Sequence, residues 1–81
     1  EPRLSSQEER EIRKRMKALE RKIATAETRA KELEAQIADM SGEDAPDFEA
    51  IGAKTQELQR TNDGRDELEM EWLELGEQLE H

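Results

Sequence analysis

"IRKRMKALERKIATAETRAKELEAQIADM", residues 12 to 40, carries apolar side chains at Ile12, Met16, Leu19, Ile23, Ala26, Ala30, Leu33, Ile37 and Met40. The steps between them alternate four and three, so they form an unbroken heptad seam. Such spacing holds one narrow apolar stripe toward a partner helix, with Ile12, Leu19, Ala26, Leu33 and Met40 at d and the other four at a. A disordered chain has no reason to keep this period.

Ser5 followed by Glu8 is a capping-box pair, whose side chains satisfy free amides at a helix start, so the first helix is expected over residues 6–40 after a lead-in at 1–5. The stretch "SGEDAPDF", 41 to 48, combines Gly, Pro and capping side chains and predicts a loop at 41–47, with Asp44 or Asp47 capping the next helix. A second seam follows through Ile51, Lys54, Leu58, Thr61, Arg65, Leu68, Trp72, Leu75 and Leu79, predicting a helix over 48–78. Its middle is polar, and "TNDG" at 61 to 64 reads locally as a turn. Leu58 and the Leu68, Trp72, Leu75 group stay in register only across a continuous helix, so continuity is expected. Two amphipathic helices of similar length joined by a short loop predict an all-α fold, an antiparallel two-helix coiled-coil hairpin. The expected register sets Ile37 near Ile51, Ala30 near Leu58, Ile23 near Arg65 and Met16 near Trp72, with the best packing at the two ends. Each stripe is then only partly covered, so a monomer or a weak dimer is expected.

Composition narrows the function. An 81-residue chain buries too little surface to enclose a catalytic pocket. The sequence has one His, no Cys, no Gly-rich phosphate loop and no HExxH pattern, so no nucleophile or metal centre is expected. The Glu residues of an open hairpin are solvated and lack a pocket to tune them. Non-catalytic function without a cofactor is the expectation. The lack of cysteine permits a reducing cytosolic setting, no apolar run matches a membrane span, and a cytoplasmic location without membrane contact is expected. The closing "LEH" looks like the start of a vector-encoded polyhistidine tag, so residues 79–81 are read as its remnant. The opening "EPRLSS", without Met, reads as a domain excised from a longer protein.

Charge is distributed unevenly. Residues 1 to 31 carry ten basic and six acidic side chains, a net of +4, whereas residues 32 to 81 carry three and sixteen, a net of −13. The hairpin lays the acidic stretch 66 to 80 beside residues 8 to 22, so Arg13, Arg15 and Lys22 can reach Glu69 and Glu71 and favour the antiparallel register. Arg10, Lys14, Lys17 and Arg21 occupy b and f positions on the opposite side of the same helix. Their helical spacing makes an outward basic stripe that can follow a phosphate backbone, with no aromatic platform to add base specificity. A solvated face is the plainer reading of the same four residues. Met70 and Leu73 also lie off the seam, where they can dock onto another domain; the plainer reading is a scattered surface pair.

Three motifs in order carry a family resemblance. "LSSQEEREIRKRMKALERKI", through Leu4, Ser5, Glu8, Arg10 and Glu11, resembles the recurrent opening of the C-terminal domain of ABC-F ATPases, including the Uup-like proteins. "APDFEAI" is similar to the family's Asp-aromatic turn through Asp47 and Phe48, and "ELEMEWLELGEQL" to its closing segment through Leu68, Trp72 and Leu75. The resemblance implies a coiled-coil hairpin appended to two tandem ATP-binding cassettes of a soluble, non-transporter protein. ATP and Mg would belong to those absent cassettes. It implies as partners the cassettes themselves and either DNA or ribosomal RNA and the ribosome.

Overall fold

The computed structural model describes residues 4–80. The reading of His81 as part of a tag, and residues 1–3 of the expected lead-in, lie outside them. Two helices, α1 (Ser6–Ser41) and α2 (Phe48–Leu79), pack against each other as a helical hairpin with extents of 65 × 16 × 14 Å. The fold is all-α, as the two seams require. Each helix ends one residue beyond the expected 6–40 and 48–78.

Side chains set the helix starts. The Glu8 amide donates to Ser5 Oγ at 3.1 Å, and the Ser5 amide donates to Glu8 Oε1 at 3.0 Å, completing the capping box. Of the two candidate caps for α2, Asp47 serves: its Oδ1 accepts from the Ala50 amide at 3.0 Å. The end of α1 differs from a left-handed glycine stop. Gly42 has φ −88°, and its amide donates to the Asp39 carbonyl at 3.2 Å, so the last turn tightens instead. Pro46 lies four residues beyond Gly42 in the connection, where it cannot extend α1.

α2 continues through "TNDG" without interruption. Its Thr61 hydroxyl donates to the Glu57 carbonyl at 2.8 Å, so a polar residue on the seam finds its partner within its own helix. A methyl group added at Gly64 would meet nothing within 4 Å, so glycine is not required there by packing. The long-range seam therefore overrides the local turn signal.

The core is not concentrated at the two ends. Leu19 and Leu33 are fully enclosed and Ala30 is 5% exposed, whereas no residue of α2 is buried. Between Leu19 and Ala30 the seam holds Ile23 and Ala26, both half-buried, at the height of Thr61 and Arg65. The hairpin thus has a polar waist between two better packed regions. Arg65 fills that waist with its Nε 3.2 Å from Glu69 Oε1, misaligned for a hydrogen bond, and its guanidinium also pairs with Asp66 at 3.2 Å.

Candidate nucleic-acid interface

Two cross-helix ion pairs fix which cations of α1 turn inward. Arg15 Nε donates to Glu71 Oε2 at 2.8 Å, and Arg29 donates to Glu57 Oε2 through Nη2 at 2.6 Å and Nε at 3.1 Å. Both arginines hold g positions, beside the seam. The hydrogen bond from Arg15, then its charge and that of Lys22, hold the Glu71 carboxyl below its ordinary value. The bond from Arg29 does the same for Glu57 and is the main influence raising the Arg29 guanidinium.

Of the residues expected to select the register, Arg15 makes its pair and Lys22 acts on Glu71 at longer range. Arg13 forms no ion pair among the described residues, and Glu69 is taken by Arg65 of its own helix. Arg65 reaches Glu69 first because the two are one turn apart on α2. Sequence reasoning missed Arg29 and Glu57, although the register that aligns Arg15 with Glu71 also aligns them. It missed the Trp72 indole as well, whose Nε1 donates to Glu20 Oε2 at 3.0 Å.

Arg10, Lys14, Lys17 and Arg21 are exposed, and among the described residues none stands in an ion pair. They span about 16 Å of the outer face of α1, at roughly 1.5 Å of rise per residue. The run at 13 to 22 therefore divides by heptad position: Arg15 and Lys22 serve the acidic helix, while Lys14, Lys17 and Arg21 face solvent. Arg10 and Lys14 border a shallow surface depression with Gln7 and Glu11.

On the other helix, Met70 is 62% and Leu73 54% exposed, and neither contributes to the seam. Phe48 is 76% exposed, which the sequence had not singled out beyond its place in the turn motif. It is the first residue of α2 and lies just outside the seam, where α1 leaves it uncovered.

Among the described residues no group of His, Asp and Glu side chains comes together to hold a metal ion, and no helix is long and apolar enough to cross a membrane. The described residues form a small all-helical hairpin with charged outer faces. The family model "ABC transporter C-terminal domain" matches residues 3–77, and the chain belongs to that family. Comparison with curated proteins and with solved structures gives no match.

Proposed function

We propose that this accessory domain is the C-terminal arm of a Uup-like, ABC-F type tandem-cassette ATPase, and that its outer face contacts DNA or ribosomal RNA without sequence specificity. The observation that carries the reading is the division of the basic residues: Arg15 and Arg29 are committed to carboxylates, whereas Arg10, Lys14, Lys17 and Arg21 are exposed and unpaired among the described residues. Four such cations on one helical face can each displace a counterion from a phosphate. The net charge of −9 opposes approach over long range, so the contact is short-ranged and draws on the rest of the parent for anchoring. ATP and Mg act in the parent's cassettes, in the cytoplasm, and this arm takes no cofactor and no part in the chemistry.

Fluorescence anisotropy with labelled duplex DNA and a ribosomal RNA fragment tests the reading. Binding at low salt is expected to fall with salt at a log–log slope of about −3 to −4 for duplex DNA, and Lys14→Glu with Lys17→Glu to flatten that slope by about 2. An affinity indifferent to both charge reversals, or no binding at low salt, refutes the phosphate contact.

The exposure of Met70 and Leu73 supports a second reading, a docking or spacer module that holds the parent's cassettes and touches no nucleic acid. Leu73→Asp then releases the arm from the cassettes while its helical circular dichroism is unchanged. Docking that survives the substitution rejects it.

A further inference from the structure

The large hydrophobic side chains exposed among the described residues, Phe48, Met70 and Leu73, share one strip of α2. They are separated by 22 and 25 residues, which is about six and seven turns at 3.6 residues per turn. Between Phe48 and Asn62 the same strip runs through Gly52, Thr55 and Gln59 and carries no charge, although 43% of the chain is charged. Toward the open end of the hairpin it becomes acidic around the apolar pair, with Asp66 and Glu77.

The outer strip of α1 has the complementary sequence of properties at the same heights. Its open-end half is the basic stripe, and its loop-end half carries the small residues Ala24, Thr28 and Ala35 with Lys31 as the one charge among them, all exposed. Heights along the hairpin are fixed by Arg15 against Glu71, Arg29 against Glu57, and Met16, whose Cε would lie 3.6 Å from a methyl group at Gly76. In that register Arg21 is level with Asp66 and Met70, Lys17 with Met70 and Leu73, Thr28 with Gln59, and Ala35 with Gly52. Within one molecule these strips cannot meet, because each faces away from the seam.

We infer that the occupant of the α2 strip is the outer strip of α1 from a second copy of this chain. Both strips lean toward the same broad face of the hairpin, α1 through its b positions and α2 through its b and e positions. A two-fold axis parallel to the hairpin's length brings two such faces together, keeps every height unchanged, and sets α1 of each copy antiparallel to α2 of the other. Both complementary contacts then form at once in a closed four-helix arrangement. Opposite charges meet beside Met70 and Leu73 at the open end, and in the loop-end half the small side chains of Ala24, Thr28 and Ala35 let the backbones approach around the flexible Lys31. Repulsion between two chains of net charge −9 keeps the affinity low, so association belongs to high local concentration. The inference does not depend on nucleic-acid contact, although both use Lys17 and Arg21, and it makes dimer formation and phosphate contact mutually exclusive.

Sedimentation equilibrium of the 81-residue chain over a concentration series provides the test. The average mass is expected to rise from 9.4 kDa toward twice that value. Leu73→Asp should weaken association at least about tenfold without loss of helical circular dichroism. Arg21→Glu should also weaken it, and Arg21→Glu combined with Asp66→Lys should restore it, a rescue that a folding defect would not show. A monomer at all concentrations up to the millimolar range overturns the inference and leaves the strip to a different partner such as the cassettes. A dimer that ignores both Leu73→Asp and the charge swap overturns it equally, since its interface lies elsewhere.

Discussion

The two helices do unequal work in the same hairpin. α1 carries an unbroken apolar seam and contributes the buried residues Leu19, Ala30 and Leu33, while α2 has Lys54, Thr61 and Arg65 on its seam and buries none. The difference teaches that one well-formed stripe can organise a hairpin when its partner offers long side chains to cover it. Lys54 and Arg65 are half-buried at the heights of Leu33 and Ile23, where their aliphatic stems can lie over the seam while their charged ends reach solvent or a carboxylate. α2 retains apolar residues elsewhere, on its outer strip, where they are available to a partner.

The strongest way to break this comparison is to truncate the seam on each side. Leu33→Ala removes a fully enclosed side chain and is expected to cost about 2–5 kcal/mol, enough to unfold a marginal hairpin. Leu58→Ala, on the half-buried α2 side, should cost roughly 1–2 kcal/mol. Urea denaturation followed by circular dichroism measures both, and equal losses would show that the two helices share the core after all.

The waist sharpens the contrast in the opposite direction. Gly64→Ala has open space for its methyl group and should stabilise α2 by about 0.5–1 kcal/mol. Arg65→Leu extends the apolar seam of α2 by one position and should add roughly 1 kcal/mol in the same denaturation experiment. A loss of stability in either variant would mean that the polar waist supports the native register rather than weakening it.

The smallest effect belongs to the cross-helix ion pairs. Glu57 and Glu71 titrate below their ordinary value because Arg29 and Arg15 hydrogen-bond to the ionised form. A carboxylate lowered in the folded state stabilises fully above its unfolded pKa and loses that contribution as pH falls through the folded value. The double variant Glu57→Gln, Glu71→Gln should therefore melt below the parent at pH 7 and converge with it in acid. A gap in melting temperature that persists at acid pH would assign the difference to packing rather than to charge.

Much of this was legible in the sequence because coiled-coil geometry maps a residue number to a direction. The alternation of fours and threes gave the inward face of α1, and the b and f positions gave the outward sense of Arg10, Lys14, Lys17 and Arg21. Ser5 and Glu8 announced their cap at a fixed local spacing. Asp44 and Asp47 are equivalent candidates in the sequence, and the start of α2 at Phe48 makes Asp47 the cap. The Arg29 to Glu57 pair follows from the same register, although Arg29 lies outside the densest basic run. Arg13 shows the converse limit, since position permits a contact while competition among neighbours decides it, and Arg65 holds Glu69 from one turn away.

The sequence by itself determined two amphipathic helices, the cap of the first and their antiparallel closure, because these follow from local hydrogen bonding and from a period that only one helix face can satisfy. Tertiary structure alone decided where the core is complete, which carboxylates the arginines hold, and that Phe48 joins Met70 and Leu73 as an uncovered apolar side chain. Those outcomes depend on heights and distances between the two helices, and a small axial shift changes them while leaving every local pattern intact.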